Sequence, residues 1–167
     1  IDGQFYDWKD AKVHFLTHGL HYASAVFEGI RSYAGSAFKL TQHNERLIKS
    51  AEIMDMKVPY SVEELNEVTY QVLEKNNLED SYIRPLVWRG SEMMAISNQN
   101  ATVHVGIAAW GGIKYSAKSA EGGIKLKKVS WRRPDPKTAP VHAKASGLYM
   151  ISTLSKHEAE RAGCEDA

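Results

Sequence analysis

The chain has 167 residues, enough for one domain with a proper core or for a domain and part of another. Apolar residues make up 43% and charged residues 25%, the balance of a soluble globular protein, and a net charge of +1 gives no field strong enough to expect nucleic acid as a partner. Cys164 is the only cysteine, which excludes an internal disulfide and suits a reducing, cytoplasmic setting, and no apolar run nears the roughly 20 residues that span a bilayer, so no membrane association is expected.

In chain order, "GQFYDWKDAKVHFL" mixes apolar and polar residues at short range and reads as a strand, a turn and a second strand. "AVFEGIRSYAGSAFKLT" reads as two strands joined at "YAGS", with Gly35 supplying the bend. Thr41 is expected to cap a helix over "QHNERLIKSAEIMDM", whose Leu47, Ile48, Ala51 and Met54 recur at helical spacing. A second helix over "PYSVEELNEVTYQVLEKNN" has the clearest signals. Pro59 precedes it, Ser61 and Glu64 form a capping box, Leu65, Val68, Val72 and Leu73 make the buried stripe, and Asn77 suits its end.

"SYIRPLVWRG" and "ATVHVGIAAWGG" are strands separated by the loop "SEMMAISNQN"; the second is nearly all apolar and is expected at the centre of a sheet. Beyond "WGG" the texture changes. "IKYSAKSAEGG" is small and polar, "IKLKKVSWRRP" is strand-like and basic, and "RPDPKTAP" carries three prolines, the texture of an interdomain linker. A last helix is expected from Ala145 to Gly163, with Leu148, Ile151, Leu154 and Ala159 inward and "AG" at its C-terminus. There is no internal repeat. The first residue is not methionine, no secretory leader opens the sequence, and "CEDA" reads as an approach to further structure, so a longer parent chain is expected.

Several side chains stand out chemically. In "APVHAKASGLYM", Lys144 lies among Ala143, Ala145, Ser146 and Gly147. A lysine acts as a nucleophile or forms a Schiff base only when deprotonated, and small neighbours would let a planar ring approach it. The plainer alternative is a surface lysine at a helix start. Arg46 lies early in its helix, where a guanidinium suits a phosphate, or else pairs with Glu45 in solvent. Arg84 interrupts an apolar strand and must reach solvent, a partner or a ligand such as a carboxylate.

In "HGLHYASAVFEGIR", His18 and His21 stand i, i+3, yet no cysteine or third histidine completes a ligand set, and no metal is expected. Tyr22 and Phe27 read as pocket walls or as core. "KLKKVSWRR" interleaves an aromatic with basic residues, as single-strand binders do, but reads better as a strand with solvent-facing lysines.

Taken together, "HGLHYASAVFEGIR", "NERLIKSA", "SYIRPLVWRG" and "APVHAKASGLY" resemble, in this order and at similar separations, the branched-chain amino acid aminotransferases of the fold type IV pyridoxal-phosphate class. The resemblance covers essentially the whole chain. It implies a mixed α/β fold, with a small N-terminal domain over 1–112, a linker with a first strand over 113–139, and the opening of a larger cofactor domain over 140–167.

It also implies pyridoxal 5'-phosphate as cofactor and transamination of leucine, isoleucine and valine with 2-oxoglutarate. Lys144 matches the lysine that holds the cofactor and moves the substrate proton, Tyr149 the tyrosine on the cofactor's phenolic oxygen, and Arg46 the arginine on its phosphate. Phe27, Tyr82 and Trp110 match pocket walls, and Arg84 an arginine suited to the second carboxylate of glutamate. Tyr22, Met94 and Ile96 match residues reaching a neighbouring subunit's pocket, so a homodimer is implied. Ile113 departs from the pattern where a tyrosine is expected, with Tyr115 displaced. The glutamate that pairs with the cofactor's ring nitrogen would lie beyond Ala167, so residues 1–167 alone are expected to be inactive. D-amino-acid transaminases, aminodeoxychorismate lyases and a non-catalytic paralogue are the alternatives.

Overall fold

The computed structural model describes residues 1–112 and 122–167. The expected linker residues 113–121, with Ile113 and Tyr115, lie outside the described residues.

The chain adopts the expected mixed α/β architecture: a five-stranded antiparallel sheet with two long helices on one face. The elements are α1 (His18–Tyr22), β1 (Ala25–Phe27), β2 (Ile30–Tyr33), β3 (Ser36–Ala37), α2 (Leu40–Ile53), α3 (Val62–Lys75), β4 (Ser81–Arg89), β5 (Val103–Trp110) and α4 (Tyr149–Arg161). β4 is the hub. β1 and β2 pair in succession along one of its edges and β5 along the other.

Strand β4 carries Pro85 in its interior, a residue usually confined to sheet edges because it lacks an N–H. Here the missing donor faces the step between β1 and β2. Glu28 N–H still donates to Pro85 O at 3.0 Å, but no bond can return, and the ladder opens at Glu28–Gly29. The expected hairpin is present between β2 and β3, with Ala34 at φ 47° and Gly35 at φ 78°, the left-handed pair of a tight hairpin turn.

Alternation divides β4 cleanly. Ile83, Pro85 and Val87 turn toward the helices, where Val26, Leu47, Ala51, Leu65 and Val105 complete the main core. Tyr82, Arg84 and Leu86 turn to the opposite face, level with Trp110, Ala108, Gly106 and Phe27 on neighbouring strands.

Helix α3 begins as expected. Ser61 Oγ accepts from Glu64 N–H at 3.2 Å, Glu64 accepts from Ser61 N–H at 2.7 Å, and Asn77 at φ 51° follows its end. Thr69, rather than Val68, is the buried residue of its stripe, with its hydroxyl donated to Leu65 O at 2.7 Å.

Five expectations need correction. Residues 1–17 form no strand, only a 3-10 turn at Trp8–Asp10, because this segment joins the sheet solely where Asp2 meets Val105. Thr41 does not cap α2. The helix starts two residues earlier than expected, at Leu40, after Lys39 takes a left-handed turn at φ 53°, and the Thr41 hydroxyl accepts from Asn66 in α3 at 3.0 Å. Strand β5 pairs only with β4 among the described residues and is half-exposed, so the centre belongs to β4, whose charged and proline residues disguise it. The basic stretch after Gly123 forms no strand beyond a single bridge of Leu126 to Asp166. Helix α4 starts at Tyr149, after a 3-10 turn at Ser146–Leu148, and its Leu154 is exposed. Its C-terminus is as expected, with Gly163 left-handed at φ 73°.

Candidate functional site

The site lies where residues 143–145 cross the free edge of β1. Ala145 bridges Val26, Phe27 N–H donates to Lys144 O at 3.1 Å, and Lys144 N–H donates to Ser50 Oγ on α2 at 3.0 Å. Ala143 and Ala145 turn into the helix-side core, and alternation sends Lys144 the other way. The small neighbours of Lys144 are therefore small because they pack against the core. Gly147 is small for another reason: a Cβ there would come within 2.8 Å of the Ala23 Cβ.

The Lys144 amine donates to the Tyr149 hydroxyl at 2.6 Å and stands 5.1 Å from the centroids of both the Phe27 and Tyr149 rings. Those rings lie 4.7 Å apart. The Arg84 guanidinium also sits against Phe27, 4.6 Å from the ring, and donates to the Tyr82 hydroxyl at 2.9 Å. Tyr82 packs on Trp110 at 5.1 Å. A chain of contacts thus links Lys144, Tyr149, Phe27, Arg84, Tyr82 and Trp110, with each cation set against two aromatic rings. Arg84 Nε is buried without a hydrogen-bond partner, a cation held partly by ring faces.

Arg46 is anchored by a residue that sequence reasoning passed over. Glu28 is fully buried, and it accepts from Arg46 Nε at 2.5 Å, from Arg46 Nη2 at 2.7 Å and from His43 Nδ1 at 2.8 Å. Burial pushes the Glu28 carboxyl up, but the bonds and charges of Arg46 and His43 outweigh it and hold it below the usual carboxylate range. The hydrogen bond to Glu28 raises Arg46 further, against a smaller effect of burial, and nearby Tyr149 adds to the rise. Glu45 is not its partner. The signal was available: a glutamate inside "AVFEGI" needs a partner for the same reason as Arg84 in "YIRPLVW".

Tyr22, Met94 and Ile96 stand elsewhere, on α1 and the loop between β4 and β5. Tyr22 stacks on His18 at 4.7 Å, and His18 Nε2 donates to Ala95 O at 2.9 Å while Nδ1 accepts from Ser24 at 2.6 Å. Tyr22, Met94 and Ile96 are all exposed. His21 Nε2 bonds Phe15 O, and no group of metal-ligating side chains occurs among the described residues.

Gly29, at the opening of the sheet ladder, decides where Tyr82 rests. A Cβ there would overlap the Tyr82 hydroxyl and lie 3.0 Å from its Cζ. Gly29→Ala is expected to displace the Tyr82 ring from Arg84 and Trp110. The expected cost is about 1–3 kcal/mol of unfolding free energy, read by chemical denaturation, with loss of the Trp110 near-ultraviolet dichroism.

Comparison with known proteins places the chain among relatives. The family model described as Amino-transferase class IV matches residues 25–167. The branched-chain-amino-acid aminotransferase of Pseudomonas aeruginosa is 43% identical over 171 residues, which cover 99% of this chain and 56% of that protein. The crystal structure of the Escherichia coli branched-chain amino acid aminotransferase superposes with a TM-score of 0.94 at 40% identity, covering 98% of this chain and 56% of that one. A T.th. branched-chain amino acid aminotransferase complexed with N-(5'-phosphopyridoxyl)-L-glutamate superposes at 0.88 with 35% identity, covering 98% and 55%. The chain spans a little over half the length of these relatives.

Proposed function

From the premise that the chain belongs to the class IV amino-transferase family, we propose that the whole protein is a pyridoxal-phosphate-dependent transaminase for leucine, isoleucine and valine, with 2-oxoglutarate as the partner acid. The observation that carries the reading is the Lys144 amine on the Tyr149 hydroxyl at 2.6 Å, among aromatic rings that contact both Lys144 and Arg84.

The residues present fit the cofactor. Arg46, with its guanidinium fixed by Glu28 and its side chain 56% exposed, would hold the phosphate. Lys144 would bind the carbonyl carbon, and Tyr149 the phenolic oxygen. When bound, pyridoxal phosphate supplies the electron sink for charge developing at the substrate Cα. Once the substrate amine has displaced it from the carbonyl carbon, the freed Lys144 amine would take up the proton leaving Cα, with the Tyr149 hydroxyl holding the amine in place. Phe27, Tyr82 and Trp110 form the walls for a branched side chain. Arg84, against the Phe27 and Tyr82 rings, would receive the second carboxylate of glutamate.

Tyr22, Met94 and Ile96, exposed on α1 and its neighbouring loop, suit a role at a second subunit's pocket in a cytoplasmic homodimer. Residues 1–112 would form the small domain, 113–139 the connection, and 140–167 the start of the larger domain.

The test uses the full-length protein with L-leucine and 2-oxoglutarate, and with D-alanine and aminodeoxychorismate as competing substrates. Turnover of the first pair is expected. Arg84→Met is expected to lower kcat/KM for 2-oxoglutarate about 100-fold and to change that for leucine far less. Preferred turnover of either competitor, or equal loss for both substrates, overturns the assignment.

A further inference from the structure

Ser50 is 1% exposed, lies on α2 one turn after Arg46, and receives the backbone N–H of Lys144 from 94 residues further along the chain. We propose that Ser50 is a positioning residue that sets Lys144 in register with Arg46, so that α2 fixes the span between the amine and the guanidinium. This rests on the functional reading given above.

Four connections close a frame. The Lys144 N–H bonds Ser50 at 3.0 Å, and the Lys144 carbonyl bonds Phe27 N–H at 3.1 Å, so the residue is clamped from both sides. Glu28, the next residue after Phe27, binds Arg46 through two oxygens at 2.5 and 2.7 Å. Arg46 and Ser50 share one face of α2, about 6 Å apart along its axis. The circuit Lys144, Ser50, α2, Arg46, Glu28, Phe27 returns to Lys144 with no flexible side chain longer than the two that are clamped. Two of its links are backbone bonds of the lysine, so the lysine side chain itself stays free for chemistry. A ligand held at both ends senses an error in this span, whereas a ligand held at one end does not.

The experiment measures equilibrium dissociation constants of the full-length apoprotein for pyridoxal 5'-phosphate and for pyridoxal, which lacks the phosphate. Ser50→Ala, Ser50→Thr and Ser50→Cys are compared with wild type. The Ser50→Ala variant is expected to lose at least tenfold of the wild-type preference for the phosphorylated ligand, with pyridoxal binding changed less than threefold. Ser50→Thr, which keeps a hydroxyl acceptor, is expected to restore the preference. Ser50→Cys, which keeps the volume but accepts weakly, is expected to fall between. If Ser50→Ala does not fold, the cysteine and threonine variants decide the matter. Equal weakening of both ligands, tracking the melting temperature, or a wild-type preference in both Ser50→Ala and Ser50→Cys, overturns the proposal and leaves the functional reading standing. A wild-type protein that binds neither ligand overturns both.

Discussion

Lys144→Ala is expected to abolish the visible absorption of the cofactor-loaded protein and to lower turnover at least about 1000-fold, while changing the unfolding free energy by less than about 1 kcal/mol. The contrast follows from how the lysine is held. Its backbone is fixed by Ser50 and Phe27 through groups that alanine retains. Its neighbours Ala143 and Ala145 already make the core contacts. What the substitution removes is the amine proposed to condense with a carbonyl and its bond to Tyr149. Visible absorbance of the cofactor-loaded protein and denaturant unfolding are the two measurements. A retained visible band would sink the assignment of the amine, and a large loss of stability would show that the lysine has a structural part.

The second large effect is an asymmetry within one ion pair. Arg46→Met is expected to destabilise the protein by about 3–5 kcal/mol, because it leaves the buried Glu28 carboxylate with only His43 and the Gly29 N–H. Glu28→Gln is expected to cost only about 1 kcal/mol, because the Arg46 guanidinium is more than half exposed and water can solvate it. The double variant is expected to be more stable than Arg46→Met alone. The pH dependence follows from the direction of the Glu28 shift. Its folded value is depressed, so its contribution is present above the unfolded value near 4.5 and is lost as pH falls through the folded value. In Arg46→Met the buried carboxyl takes up a proton more readily, and the deficit against wild type is expected to narrow as pH falls below about 4.5. Urea unfolding at neutral pH and at about pH 4 checks both points. Equal costs for the two single substitutions would mean that Glu28 is not desolvated as its burial implies.

Much of the local structure could be read from residues alone, because the determining interactions are short-range. The capping box of Ser61 and Glu64, the left-handed Asn77 and Gly163, and the turn at Gly35 each involve groups only a few residues apart. Arg84 was legible as a residue in need of a partner, because a charge inside an apolar strand implies one, whereas for Lys144 and Arg46 the residues alone left a plain surface role open and only the family resemblance singled them out. Expectations failed where strand partners had to be known. The aromatic-rich segment before α1 has strand composition but no strand to pair with, and β5 has the composition of a central strand at the edge of the described sheet.

What the residues determined by themselves was the helices α2 and α3, the strands between Ala25 and Trp110 and the charge character of the candidate groups, since propensity, capping and charge act locally. Only the tertiary structure decided that Glu28, not Glu45, takes Arg46, that Ser50 receives the Lys144 N–H, and that Pro85 sits in the middle of the sheet. The first two pairings join positions 18 and 94 residues apart. Such pairs meet only because β4 gathers strands on both edges and the helices pack across one face. Loop closure over such separations is settled by the burial of the whole core rather than by any local preference.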